Sequence, residues 1–368
     1  MHVAVAMSGG VDSLRTAVIL KDQGHFVLGI HMRLMPDGGG NRDGGKDRAE
    51  RERALQALAA RFSIPMVMID FHKEFEEEVV RPFVEAYRNG LTPNPCVVCN
   101  PRIKFGFLLR EAANLGMDCL ATGHYAGVQR PEAPSGRFRL LRATDPSKDQ
   151  SYFLYGLTQE QLARAVFPLS LLSKRDTRQW AEEAGALQYL PEESQEVCFI
   201  PSGDVLEFIE KRSGVSPASS KGLILDVGGN ILGEHKGIHA YTVGQRRGLG
   251  ISSSAPYYVV DIDPGKNVIQ VGRASDLFCG EFQADHVNWV SIHPPDDPIR
   301  GQVRIRNQHV PAPARIIPRG QDRVLVRFDQ PQRAVTPGQA AVFYDGEVVL
   351  GGGMIMRRES SITEGNTL

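Results

Sequence analysis

At 368 residues the chain is too long for one typical hydrophobic core, and a composition of 42% hydrophobic, 23% charged and 7% aromatic residues is that of a folded globular protein. A formal net charge of -1 excludes a global electrostatic pull towards nucleic acid or an anionic membrane, so any RNA surface has to come from local segregation of charge. Five cysteines, an odd and low number, argue against a secreted disulfide scaffold, and no apolar run approaches the roughly 20 residues that span a bilayer. The expectation is a cytoplasmic protein without membrane association.

The start, Met1-His2-Val3-Ala4-Val5-Ala6-Met7, has no basic region and runs directly into a glycine-rich loop, so it reads as a first β-strand and not as a signal peptide. Short apolar runs at residues 3–7, 26–32, 66–70 and 117–122 alternate with helical spacing at 14–23, 47–62, 73–88 and 103–115. Gly24 and Gly116 stand where C-cap glycines belong. This alternation predicts βαβ units and a doubly wound, mostly parallel sheet. Residues 36–47 read as a Gly- and Asp-rich loop, 162–185 as helix broken near Phe167-Pro168, and 204–212 as a further helix. Beyond that, 257–261 and 268–272 flank the turn Asp263-Pro264-Gly265-Lys266-Asn267, a hairpin signal. Short strands between Pro and Gly turns from about 282 to 356 predict a small β-barrel or sandwich. The fold class is α/β, followed by a small mixed domain and a C-terminal β-barrel. The expected domains are 1–202, 203–275 and 276–368, with a frayed end over 359–368.

The first strand leads into Ser8-Gly9-Gly10-Val11-Asp12-Ser13 and then a helix. Glycines let the backbone approach a charged group, and helix N-terminal amides point at it. Ser8 and Ser13 supply hydroxyl donors, and Asp12 either holds Mg²⁺ or orients the loop. A look-alike at residues 40–46 matches Walker A spacing, but Asp47 takes the required Ser/Thr position and no strand leads into it. SGGVDS resembles the PP-loop of the N-type ATP pyrophosphatases, which cleave ATP between the α- and β-phosphates and adenylate a carbonyl oxygen.

Cys96 and Cys99 lie in Thr92-Pro93-Asn94-Pro95-Cys96-Val97-Val98-Cys99-Asn100, where two prolines and two asparagines predict a shaped loop, not a regular helix, leading to a helix from Ile103. A thiol at such a helix N-terminus would have its thiolate stabilised. Cys198 lies in Gln195-Glu196-Val197-Cys198-Phe199-Ile200, whereas Cys119 and Cys279 sit among apolar neighbours and read as core. For Cys96, Cys99 and Cys198 three readings stand. Structural zinc lacks a fourth ligand in any evident motif. Three thiolates could hold a [4Fe-4S] cluster with one open iron site. A nucleophile and a sulfur carrier could end as a disulfide.

With Ala121-Thr122-Gly123-His124-Tyr125, Lys148-Asp149-Gln150-Ser151-Tyr152-Phe153-Leu154, Val197-Cys198-Phe199-Ile200, Thr242-Val243-Gly244-Gln245-Arg246-Arg247-Gly248-Leu249-Gly250 and Thr336-Pro337-Gly338-Gln339, the chain resembles the bacterial tRNA-specific 2-thiouridylases, the MnmA family. The resemblance covers nearly the whole chain. It implies Cys99 as nucleophile and Cys198 as the persulfide carrier. It implies Ala6, Met7, Ser8, Gly9, Gly10, Val11, Asp12, Ser13, Met32 and Gly123 as nucleotide-binding. It implies tRNA contacts at Asn94, Pro95, Cys96, His124, Lys148, Asp149, Gln150, Arg306, Asn307 and Gln339. ATP and Mg²⁺ would serve as cosubstrate and cofactor. The implied substrate is uridine 34 of the tRNAs for Lys, Glu and Gln, thiolated at C2 with sulfur from a persulfide relay protein, and the default assembly is a monomer. Where some members carry Asp, this chain has Cys96, which favours the cluster alternative; Leu14 replaces a second Ser.

Residues 298–333 hold eight arginines (Arg300, Arg304, Arg306, Arg315, Arg319, Arg323, Arg327, Arg333) against Asp322 and Asp329, a candidate phosphate-binding surface. Alternation along strands would divide them between two faces. Arg246 and Arg247 are further RNA candidates, and Phe105 or Tyr152 would be base-stacking groups. The competing functions are another PP-loop ligase acting on a small substrate, which has no need for Cys99 and Cys198, and a tRNA-binding protein whose ATP site does no chemistry.

Overall fold

The computed structural model describes residues 1–36, 48–133, 135–189, 197–200, 203–214 and 220–358. The glycine-rich segment at 37–47, with its Walker-like spacing, and the last ten residues lie outside the described residues.

Five parallel strands form the N-terminal sheet in the order Met66–Asp70, Phe26–Arg33, His2–Ala6, Cys119–Ala121, Ala165–Val166. Val3 and Val5 face one apolar layer with Leu14, Ala17, Leu55, Leu58 and Ala181. Ala4 and Ala6 face the other, with Leu108, Leu109 and Ala112. Both faces are therefore covered, which is why these strands read as near-continuous apolar runs. The chain first moves outward from His2–Ala6 to Met66–Asp70, then returns to its other side at Cys119–Ala121. That reversal opens a crevice at the carboxyl ends of the two strands, where doubly wound sheets bind ligands.

Two local expectations are corrected. Residues 162–185 are not one broken helix but a helix Gln159–Ala163, the strand Ala165–Val166, and a helix Lys174–Glu183 started by a Ser173/Asp176 capping box. The PNPC segment is helical from Pro95, with Asn94 Oδ1 accepting from the Cys96 amide at 3.1 Å as the N-cap. Proline at the first helical position costs nothing because its missing N–H would be an orphan anyway. Pro101 then falls inside the helix, where it cannot donate to Val97 and its ring crowds that carbonyl, and Asn100–Leu108 takes the wider π register before Leu109–Asn114 resumes α geometry.

The middle of the chain forms a four-stranded sheet, Tyr258–Asp263, Val268–Gly272, Gly222–Asp226, Ile231–His235, around Ile224, Val259, Ile269 and Val271. The expected hairpin is there, with Asn267 in its turn at φ 52°. Six C-terminal strands from Phe278–Asn288 to Val348–Ile355 close into a barrel by pairing of the first with the last. Two short strands of the N-terminal region, Gly127–Gln129 and Arg139–Leu141, add to this barrel sheet through Leu141↔Val348 and Leu140↔Val349. Each has three residues, too short for a periodic signal.

Candidate functional site

The loop after His2–Ala6 sits at the crevice. Gly9 adopts φ 88°, which favours glycine, and Gly10 is an N-cap whose residue offers no side chain to the first-turn amides of Val11–Asp22. Those amides are thus available to an anion. Ser13 is buried: its Oγ donates to Gly10 O at 2.9 Å and accepts from the Ser8 amide at 3.2 Å, so it shapes the loop from inside while Ser8 stays exposed. Asp12 accepts from Lys174 Nζ on both oxygens, at 2.8 and 2.7 Å, and from the Tyr125 hydroxyl at 2.9 Å. These contacts tie Asp12 to Lys174 and Tyr125 and let it orient the loop. Lys174 carried no motif signal, being 162 positions away from Asp12 in sequence.

Two neighbouring strand ends complete this end of the sheet. His31 Nδ1 lies 2.8 Å from the Met7 carbonyl, tying the loop to the strand that carries half-buried Met32. At Gly123 an added Cβ would lie 2.8 Å from Asp12 C and 2.9 Å from Ser13 N, so the two backbones touch and only glycine fits. His124 follows, with Nδ1 2.7 Å from Thr122 Oγ1 and Nε2 3.4 Å from Lys104 Nζ. Since an ammonium can only donate, Nε2 accepts and Nδ1 carries the proton. Burial first, and the Lys104 charge second, hold His124 well below the usual imidazole range, so it is neutral.

Lys104 also lies beside the cysteines. Cys99 belongs to an apolar cluster with Phe75, Val79, Phe83, Ile103, Phe199 and Ile200. Phe199 packs edge-on against Phe75 at 5.5 Å and Phe83 at 5.3 Å, and this anchor sets exposed Cys198 at the same place. Burial pushes the Cys99 thiol up to about 12, with Lys104 opposing and Cys198 and Cys96 adding to the rise. Cys96 is exposed by surface area yet recessed enough that desolvation raises its thiol too, again against Lys104. Desolvation thus raises both thiols, against the lowering expected of a thiol at a helix N-terminus, and Cys99 stands a full turn inside the helix that begins at Pro95. Among the described residues no three His, Cys, Asp or Glu side chains are grouped to hold a metal ion. In this arrangement the three thiols do not fit a cluster. Cys119 and Cys279 are buried, as expected for core residues.

All three parts of the chain meet at Thr92, just before Asn94 and buried Pro95. Its carbonyl accepts from Gln339 Nε2 at 2.8 Å, its amide donates to Pro337 O at 3.0 Å, and its hydroxyl is 3.2 Å from that of Thr242. Gly338 backs this contact at φ 87°, its missing Cβ 2.9 Å from the Thr92 amide.

Asp149 is buried between domains. It accepts from Ala143 N and Ser151 N, and pairs with Arg304 at 3.2 Å and Arg142 at 3.7 Å. Gln150 exchanges hydrogen bonds with the Tyr125 backbone, its Oε1 accepting at 3.0 Å, while Lys148 is half-buried beside them. Arg306 donates to Arg333 O at 3.2 Å, and Asn307 follows it with Oδ1 buried and unpartnered. Strand register puts Arg300, Arg315 and Arg327 in one exposed row, of which Arg300 pairs with Asp329 and Arg327 with Glu281. Arg304 is internal, so the row of eight is not one surface. The stacking candidates are corrected: Phe105 is 1% exposed against Phe167, and Tyr152 is 0% exposed, its hydroxyl on Ala340 O at 2.9 Å. Both fill the core.

The sequence matches the tRNA methyl transferase HUP domain over residues 1–202, the tRNA methyl transferase PRC-barrel domain over 207–273 and the aminomethyltransferase beta-barrel domain over 279–355. The tRNA-specific 2-thiouridylase MnmA of Solibacter usitatus is 45% identical over 96% of this chain and 98% of its own length. Those of Syntrophotalea carbinolica, at 46% over 96% and 98%, and Geobacter metallireducens, at 43% over 99% and 98%, are similar. The doubly wound sheet with an anion-ready loop at its switch point makes this an α/β protein of the HUP class, extended by a PRC-type domain and a closed β-barrel. The chain belongs to the tRNA-specific 2-thiouridylase MnmA family.

Proposed function

We propose that this chain is a tRNA-uridine 2-sulfurtransferase that uses ATP to thiolate C2 of uridine 34 in the tRNAs for Lys, Glu and Gln. The observation that carries this reading is the continuity from the loop amides, through Gly123, His124 and Lys104, to buried Cys99, whose apolar cluster contains Phe199, the chain neighbour of exposed Cys198. A carbonyl activator and a sulfur carrier are thereby neighbours. The loop and the first turn of Val11–Asp22 receive the phosphates, with Met32 and Gly123 bordering the nucleotide. Mg²⁺ enters with the nucleotide and lowers its negative charge, while Asp12 is tied to Lys174. The base, turned out of the anticodon loop, meets Asn94, Pro95 and Cys96. Lys148, Asp149, Gln150, His124, Arg306, Asn307 and Gln339 hold the tRNA or the surfaces around it.

O2 of the uridine attacks the α-phosphorus of ATP, pyrophosphate leaves, and C2 acquires AMP as a good leaving group. The terminal sulfur of a Cys198 persulfide attacks C2 and the C2–O bond breaks, releasing AMP. Cys99 sulfur attacks Cys198 Sγ, cleaving the persulfide S–S bond, giving 2-thiouridine and a Cys99–Cys198 disulfide, with the remaining proton passing to solvent. A dithiol reductant reopens the disulfide, and a persulfide-bearing donor protein recharges Cys198. Among the described residues no helix is long and apolar enough to cross a membrane; cytoplasm and a monomer are the proposed setting.

The test is single-turnover thiolation of unmodified tRNA with ATP and a persulfide donor, on aerobic and anaerobic preparations with iron and sulfide assayed. We expect 2-thiouridine from iron-free protein, abolished in Cys99→Ala and Cys198→Ala and retained in Cys96→Ala. Activity only with bound iron and sulfide overturns the persulfide mechanism. ATP cleavage without tRNA thiolation overturns the substrate.

A further inference from the structure

The helix that carries Cys96 and Cys99 has an unexplained cation on it. In α geometry, with 3.6 residues per turn, residue 104 would point well away from residue 99. Pro101 forces Asn100–Leu108 into the π register, in which hydrogen bonds run from i to i+5 and residue 104 comes back over residue 99. The wide turn therefore delivers an ammonium to the thiol face. Lys104 is half-buried, and among the described residues no carboxylate pairs with it. Its recorded partner is the neutral imidazole of His124, 3.4 Å away. A half-buried lysine without an anion is costly unless an anion arrives during function.

We propose that Lys104 is a positioning residue of the sulfur-transfer step. Its ammonium fixes the His124 tautomer on one side and, on the other, is the counter-charge for the anion that forms on Cys99 sulfur. This rests on the reading of Cys99 as the nucleophile. The surroundings leave little else for that task. Among the described residues the groups acting electrostatically on Cys99 are Lys104, Cys198 and Cys96, and of these Lys104 favours its anion. The other elements of this cluster present Phe75, Val79, Phe83, Phe199 and Ile200, which cannot stabilise charge, and half-buried Tyr87, whose hydroxyl is held above its usual range by burial and is therefore neutral. The apolar cluster keeps Cys99 mostly protonated at rest, so its alkylation is slow and depends on the small thiolate fraction that Lys104 supports. Lys104 offsets part of the cost of the thiolate whenever it forms, which is what attack on the Cys198 persulfide requires.

The test reads Cys99 directly. Full-length protein, Lys104→Met and Lys104→Arg are alkylated with iodoacetamide from pH 6 to 11, and modification of Cys99 is followed by peptide mass spectrometry. We expect Lys104→Met to slow Cys99 alkylation about tenfold at pH 8, equivalent to roughly one pKa unit, and Lys104→Arg to restore most of it. Buried Cys119 and Cys279 report that the fold is intact. If Lys104→Met does not fold, Lys104→Gln serves in its place. An unchanged Cys99 profile in a folded, charge-free variant overturns the proposal, even if thiolation is lost, because the lysine then acts on the substrate or the fold. Thiolation surviving in Cys99→Ala instead overturns the nucleophile reading and leaves the alkylation result standing.

Discussion

Gln339 of the barrel donates its side-chain amide to the carbonyl of Thr92 at 2.8 Å, four residues ahead of Cys96. The barrel thus holds the segment that starts the helix carrying Cys96 and Cys99. The Thr92–Pro337 backbone bond and the close approach of Gly338 make the junction rigid.

Gln339→Ala removes this hydrogen bond, worth about 1 kcal/mol. The expected result is about a fivefold loss in kcat/KM for tRNA, with the KM for ATP unchanged. Steady-state kinetics with each substrate varied in turn checks it. A matching rise in the KM for ATP would contradict the separation of the two ends of the site.

Lys174→Met leaves the Asp12 carboxylate without its cation beside the loop that must receive phosphates. ATP affinity should fall on the order of tenfold, as expected for a lost charge-assisted bond. The double variant Asp12→Asn/Lys174→Met should recover part of the loss, because the uncompensated negative charge is gone. Isothermal titration with ATP across the double-mutant cycle measures this.

Gly123→Ala places a methyl group against the backbone of Asp12 and Ser13, at 2.8 to 2.9 Å. Something must move, and overpacking of this kind costs about 1–3 kcal/mol. Urea unfolding should show the destabilisation, and ATP binding should weaken beyond it because the loop itself is displaced.

Cys99 gives a pH signature. Burial raises its thiol from the ordinary 9.0 to about 12, so across that window the native state keeps a proton that the unfolded chain has released. Stability is fully present below about pH 9 and falls as pH rises, by about 1.4 kcal/mol per unit from this group. Comparing urea midpoints of the parent and Cys99→Ala at pH 7 and pH 10 isolates it: the parent should lose more stability between them than the variant.

The parallel sheet, the phosphate loop and the separate β-rich C-terminal part were legible in the sequence because each rests on local information. Apolar runs of strand length alternate with helical spacing, Ser8–Gly9–Gly10 carries its own turn chemistry, and Asp263–Asn267 marks its hairpin without help from distant residues. The family resemblance adds Cys99 and Cys198 as expectations, which rest on motif and not on local structure. The helix from Pro95 was locally ambiguous, since the same proline that breaks a helix interior begins one when Asn94 can cap it.

What only the tertiary structure decided are the partnerships across long stretches of chain. Lys174 on Asp12, Gln339 on Thr92, Arg304 on Asp149 and two N-terminal strands on the barrel sheet leave no periodic trace, because each is a single contact between residues far apart in sequence. The protonation of Cys99 is of the same kind. A sequence shows a thiol near a helix start, which favours thiolate, whereas its state depends on Phe75, Phe83 and Phe199 excluding water and on Lys104 being brought round by the π turn. Desolvation is a property of the packed surroundings, which a local stretch of sequence does not contain.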